Sequence, residues 1–321
     1  MSADITGRLL KSVSRSFYLS IRVLPTKLRE PIGLAYLLAR TSDTIADTET
    51  VLPSTRLRRL GDFETIARGY PSSHAVASIQ RDILPEHPGE HALIVALPQV
   101  LERFTALNMW DWGVTSDLLS TIIQGQSNDL ETFSDPSRVV ALPDAAALED
   151  YVYLVAGCVG EWWTRLCYHY LPNYSRVPEE ELTPLGNSFG KALQLVNILR
   201  DFPADITAGR CYLPADELRG EGVDPDDLRH AFHLAQPVYD LWIARARALL
   251  DQGRLYIASL HQRRIRIACY LPWRLACETL DLIEQRRPLE TGEKVKVPRR
   301  AVYAALLRAL RVAFSNRPLF A

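Results

Sequence analysis

The chain has 321 residues, 47% of them hydrophobic, which supplies a sizeable core and excludes a disordered or fibrous protein. Its 37 Lys and Arg almost cancel its 38 Asp and Glu, leaving a formal net charge of −1. No nucleic-acid partner is expected, because phosphate neutralisation needs a basic excess or stripe; an anionic ligand has to be met by a local arrangement of charge.

Prolines punctuate long segments that lack them. The stretches between Pro31 and Pro53, Pro98 and Pro136, Pro143 and Pro172, Pro184 and Pro203, and Pro237 and Pro272 predict helices. Apolar residues recur at helical spacing, as in Leu119, Ile122 and Ile123, or Leu241, Ile243, Leu249 and Leu250, and no alternating strand pattern closed by a tight turn is seen. Loops are expected at 70–73, 84–90, 133–138, 172–178 and 288–298. None reads as an interdomain linker and no solenoid repeat is present. The expectation is an all-α protein, residues 1–321 forming one helical bundle around a shared centre.

Cys158, Cys167, Cys211, Cys269 and Cys277 are widely spaced and form no Cys-x-x-Cys pair. They fit neither a disulfide framework nor a zinc knuckle and predict reduced thiols in a cytoplasmic protein. Met1 to Lys11 has no signal-peptide pattern. The most apolar run, Tyr151 to Gly160, is about half the ~20 residues that a membrane span needs.

Two acid-bearing segments carry the chemistry. In Arg40-Thr-Ser-Asp43-Thr-Ile-Ala-Asp47, positions i and i+4 of a helix lie about 40° apart, so Asp43 and Asp47 project side by side, with Arg40 and Tyr36 on the preceding turns. Adjacent carboxylates repel unless a cation sits between them; alone, the pair also reads as an exposed acidic helix end. In Gln194 to Asp205, the residues Gln194, Asn197 and Asp201 fall on one helical stripe, while Leu195, Ile198, Leu199 and Phe202 serve core faces. Such oxygen donors suit Mg²⁺, which binds through one or two carboxylates plus substrate phosphates. Pro203 is expected to kink or end this helix, leaving the register of Asp205 open.

Taken together, Ser14-Arg15-Ser16-Phe17, Tyr36 through Asp47, Tyr151-x-x-x-Val155-Ala156-Gly157-x-Val159-Gly160, and Gln194 through Arg210 resemble the squalene and phytoene synthase family, in the family's order. The resemblance implies a single all-α isoprenoid-synthase domain around a central cavity. It implies that Asp43, Asp47, Asn197, Asp201 and Asp205 hold Mg²⁺ ions binding the diphosphates of two farnesyl diphosphate molecules. Ser14, Arg15, Ser16, Arg40, Gln194, Arg200 and Arg210 would contact substrate, the arginines through their permanently charged planar forks. Phe17, Val155, Ala156 and Val159 would line an apolar pocket, with Gly157 and Gly160 allowing close approach either of the prenyl chain or of a neighbouring helix. Tyr151, with Tyr36 nearby, would assist proton removal as presqualene diphosphate forms.

The second step is reduction by NADPH to squalene, or proton loss to dehydrosqualene or phytoene; a partial enzyme would stop at presqualene diphosphate. Pro272-x-x-Leu275-Ala276-x-x-Thr279-Leu280 followed by Lys294-Val-Lys296-Val-x-Arg299-Arg300 resembles the reductive enzymes, and Lys294, Lys296 and Arg299 would then bind NADPH; the same run also reads as a solvated surface. An insoluble product implies peripheral contact with the inner face of the cytoplasmic membrane. Val302 to Phe314 is a candidate amphipathic helix for that contact or for packing on the domain. The chain ends without the C-terminal anchor of eukaryotic squalene synthases, which resembles a bacterial form.

Overall fold

The computed structural model describes residues 3–291, 295–298, 300, 304–305 and 308, with side chains at all of these except 3–5, 15–17 and 19. The chain forms two compact units, Met1–Glu131 and Thr132–Ala321.

In the first unit α1 (Ala3–Val13) and α2 (Arg15–Val23) precede α3 (Thr26–Asp47), which packs against α1, α2, α4 (Pro53–Ala67), α6 (Pro88–Val95) and α7 (Leu97–Thr105). Helices α5 (Ser73–Asp82) and α8 (Met109–Thr132) complete the run of helices. The apolar face of α3, with Leu28, Ile32, Leu34, Leu37, Leu38 and Ile45, is fully buried, so its polar residues are confined to the remaining stripe. Its C-terminal end carries Asp43 and Asp47, where the helix dipole disfavours negative charge. Buried Arg56 offsets this, its Nη1 donating to the Ala46 carbonyl at 2.5 Å.

The second unit is built on α11 (Glu179–Thr207), against which α9 (Ala145–Val152), α10 (Cys158–Tyr170), α13 (Gln236–Ser259) and α14 (Arg263–Arg286) pack. A π-helical turn, Tyr153–Gly157, joins α9 to α10. Here helices meet backbone to backbone: a Cβ on Gly160 would lie 1.9 Å from the Gly186 carbonyl oxygen, and one on Gly190 would lie 2.2 Å from that of Ala156. The pairs Ala156/Gly160 and Gly186/Gly190 are each spaced by four, so one small-residue face meets another.

Strands, which the sequence did not predict, occur as a parallel pair, β1 (Val140–Leu142) and β2 (Arg210–Pro214), with Val140 opposite Arg210. Strands this short carry no alternation to read. Gly209, at φ +83°, turns α11 into β2, and its carbonyl accepts from the Val140 N–H at 2.9 Å. Helices α12 (Ala215–Gly220) and α15 (Pro288–Thr291) are short.

The prolines did not end helices as expected: Pro31 lies inside α3, Pro184 and Pro203 inside α11, and Pro272 inside α14. Pro31 and Pro184 come little more than a turn after their helix starts and strand only the carbonyls of Lys27 and Glu180, both exposed residues that water can serve.

All five cysteines are free; burial pushes Cys158, Cys211 and Cys269 up to about 12 and Cys277 to about 11, which disfavours the thiolate form. Among the described residues no helix is long and apolar enough to cross a membrane.

Gly160→Ala is expected to destabilise the protein by about 1–3 kcal/mol, because α10 and α11 must part to admit the methyl group. Urea unfolding at an unchanged midpoint would show that the two helices separate without cost.

Candidate functional site

On α3, Tyr36, Arg40, Asp43 and Asp47 follow one another by four, three and four residues, so the first predicted face is formed. Asp43 accepts a 2.6 Å hydrogen bond from Nε2 of Gln126 on α8, and Arg40 Nη1 lies 3.8 Å from its other oxygen. Burial of the carboxyl and the neighbouring Asp47 charge raise Asp43 to about 7, with Arg40 and Gln126 opposing them. Its side chain nonetheless keeps 42% of its surface exposed, so Asp43 is ringed by protein without being sealed from solvent. Arg40 also pairs with Glu90 on the first turn of α6. Burial raises the Tyr36 hydroxyl, a hydrogen bond with Ser14 partly offsetting it.

Two residues of this face were not anticipated. Gln126 has a readable signal: it continues the buried apolar stripe of Leu119, Ile122 and Ile123, where an amide is out of place. Glu90 has none, since an acid on the first turn of a helix is ordinary.

On α11, Gln194, Asn197, Asp201 and Asp205 lie along one half-buried stripe, and the helix passes through Pro203 without ending. Asn197 Nδ2 is 3.5 Å from Gln194 Oε1, a weak contact. Arg200 grips Asp201 with both arms of its fork, Nε to Oδ1 at 2.9 Å and Nη2 to Oδ2 at 2.5 Å. This pairing raises the Arg200 guanidinium further above its ordinary value. Arg210 opens β2 and is half-buried.

Tyr151, at the end of α9, is half-buried and stacks on Tyr212 at 4.8 Å between centroids; Phe133 meets Tyr212 edge-on at 5.1 Å. Val155 lies half-buried in the π turn. Gly157 is buried against α11, where a Cβ would meet Lys191 Cγ at 3.1 Å and Asn187 Oδ1 at 3.2 Å, so its small size serves helix packing. The side chains of Arg15, Ser16 and Phe17 lie outside the described set, as do Lys294 and Arg299; Lys296 is exposed.

Among the described residues no three His, Cys, Asp or Glu side chains converge as a metal cage. Each face offers two carboxylates, which is the usual protein share for Mg²⁺ when phosphate and water oxygens complete the shell. Two buried polar atoms on the α3 face, Gln126 Oε1 and Arg40 Nε, have no hydrogen-bond partner. One accepts and the other donates, so the face has spare capacity for a metal-bound water and for an anionic oxygen. The donor set fits Mg²⁺ accompanied by a diphosphate.

The squalene/phytoene synthase family model matches residues 10–301. The chain belongs to that family. It is 27% identical over 314 residues to a squalene synthase of Yarrowia lipolytica, covering 95% of this chain and 66% of that protein. It is 30% identical to a presqualene diphosphate synthase of Zymomonas mobilis, covering 81% and 75%, and 28% identical to a bifunctional lycopene cyclase/phytoene synthase of Leptosphaeria maculans, covering 82% and 44%. The chain thus spans two-thirds or less of the Yarrowia and Leptosphaeria proteins. A structure of TcSQS with the ligand BPH1237 superposes with a TM-score of 0.78 at 22% identity, over 96% of this chain and 86% of that one. The fold is the all-α isoprenoid-synthase fold.

Asp43→Asn should raise the urea midpoint in metal-free buffer at pH 8, because it removes a charge that burial and Asp47 both disfavour. The gain should fade toward pH 4, where the carboxyl is protonated in the folded protein. A midpoint that does not rise at pH 8 would mean that Arg40 and Gln126 already compensate the charge.

Proposed function

We propose that this protein is an Mg²⁺-dependent prenyltransferase that joins two farnesyl diphosphate molecules head to head through presqualene diphosphate and reduces that intermediate with NADPH to squalene. The observation that carries the reading is the pair of helix faces, Asp43/Asp47 on α3 and Asn197/Asp201/Asp205 on α11, each with an arginine beside its acids, in a chain of the squalene/phytoene synthase family.

Both faces act on diphosphate. When bound, Mg²⁺ supplies charge neutralisation of the departing diphosphate. Arg40, Arg200 and Arg210, with Ser14, Arg15, Ser16 and Gln194, hold phosphate oxygens. Ionisation leaves an allylic cation that must meet the second prenyl double bond before water does, a requirement that apolar side chains such as those of Phe17 and Val155 would serve. Tyr151 and Tyr36 serve the proton lost as the cyclopropane closes, one diphosphate and one proton leaving in this half-reaction. In the second half the other diphosphate would leave; Lys294, Lys296 and Arg299 are the residues that would hold NADPH, which would supply the hydride that completes squalene. The product passes to the inner face of the cytoplasmic membrane, which the protein contacts peripherally from the cytoplasm.

A second reading has specific support in the 30% identity to a presqualene diphosphate synthase: the reaction stops after the first half. Purified protein given farnesyl diphosphate, Mg²⁺ and NADPH should yield squalene by mass spectrometry, and none without Mg²⁺. Accumulation of presqualene diphosphate with NADPH present would establish the second reading; dehydrosqualene would place the enzyme with the desaturating members, and a C40 product from geranylgeranyl diphosphate with the phytoene synthases. Asp43→Ala and Asp201→Ala should each lower turnover about 100-fold or more. Full turnover by either variant would remove that face from the reaction.

A further inference from the structure

Helix α11 is continuous from Glu179 to Thr207 although Pro203 stands between Asp201 and Asp205. A proline inside a helix has no N–H to give to the carbonyl four residues back, and usually kinks or ends the helix there. The carbonyl deprived by Pro203 is that of Leu199, a fully buried residue beyond the reach of water.

That carbonyl accepts a 2.6 Å hydrogen bond from the hydroxyl of Tyr239 on α13. Tyr239 is 1% exposed, and its ring meets Phe202 edge-on at 5.6 Å, so the hydroxyl is fixed in place. Burial also holds its phenol protonated, hence a donor. The contrast lies within the same helix: Pro184 deprives the carbonyl of Glu180, an exposed residue that solvent can serve.

We propose that Tyr239 is a positioning residue: its hydroxyl stands in for the N–H missing at Pro203 and keeps α11 helical past the proline, so that Asp205 remains on the face of Asn197 and Asp201. The functional half of this inference rests on the diphosphate-binding role proposed for that stripe. The hydrogen bond crosses from α13 to α11, so it also sets the stripe against its neighbouring helix.

The test is a double-mutant cycle of wild type, Tyr239→Phe, Pro203→Ala and the double variant, read by urea unfolding and by calorimetric titration with Mg²⁺ and inorganic pyrophosphate. Tyr239→Phe should weaken Mg²⁺-pyrophosphate binding about tenfold and lower the unfolding midpoint, as expected when a buried acceptor loses its donor. In the Pro203→Ala background the backbone regains an N–H for the Leu199 carbonyl. There the same Tyr239→Phe substitution should weaken binding about threefold or less, and stability should recover in parallel. If Tyr239→Phe fails to fold alone, recovery of folding by Pro203→Ala makes the same comparison. Equal effects of Tyr239→Phe in both backgrounds would overturn the substitution of hydroxyl for N–H. Additivity lost in stability, with pyrophosphate binding unchanged by Tyr239→Phe, would overturn the positioning role. Wild-type protein that fails to bind Mg²⁺-pyrophosphate would refute the diphosphate reading of the stripe itself, while the unfolding cycle would still decide the backbone claim.

Discussion

Much of the second unit depends on contact between bare backbones. Where Gly160 meets Gly186, and Ala156 meets Gly190, α10 and α11 approach more closely than any larger side chain allows. Dispersion and shape carry such an interface, and its distance is set by main-chain atoms that cannot adopt another rotamer. The polar stripe of α11 inherits that rigidity. Gln194, Asn197 and Asp201 occupy the same helix as the glycines, so fixing one segment fixes the azimuth of the other. An acid placed this way needs no long tether to hold its direction, which is what a site built on rigid elements requires.

The first unit shows the opposite tension. Asp43 and Asp47 sit where a helix dipole and mutual repulsion disfavour negative charge, and Asp43 is partly buried besides, while Asp47 is exposed. Nearby groups reduce the strain without removing it: Arg56 attends to the helix end, Gln126 and Arg40 to Asp43, and Glu90 draws Arg40 partly away. A fold selected for stability alone would not keep such an arrangement, and functional sites are where proteins tolerate it. On α11 the charge is better matched, Arg200 pairing with Asp201 through Nε and Nη2.

What the sequence made legible follows from what spacing can encode. The helical class, the α3 face and the α11 stripe depend on residues within a few turns of one another, and period alone places them. The partners of those residues depend on contacts between distant segments: nothing at position 90 marks Glu90 as the counterpart of Arg40, and nothing at Arg200 distinguishes a phosphate ligand from a grip on Asp201. The prolines misled for a related reason. A proline's effect on a helix depends on what else can serve the carbonyl it deprives, and at Pro203 the replacement comes from Tyr239, far along the chain. Short β1 and β2 were invisible because register with a partner, and not pattern, makes them strands. Gly157 and Gly160 left two meanings open, and helix α11 at their side, by side chains at Gly157 and by backbone at Gly160, supplies one of them.

The π turn at Tyr153–Gly157 alters how the neighbouring sequence must be counted. A π turn accommodates about one residue more than an α turn. Downstream positions therefore fall one step later on the helical wheel, as a reading frame slips past an inserted letter. In an unbroken α-helix Tyr151 and Val155 would share their face with Cys158. With the slip they share it with Val159, which is half-buried as they are, while Cys158 turns into the core. One extra residue thus turns the thiol away from a side that carries an aromatic ring and two branched aliphatics.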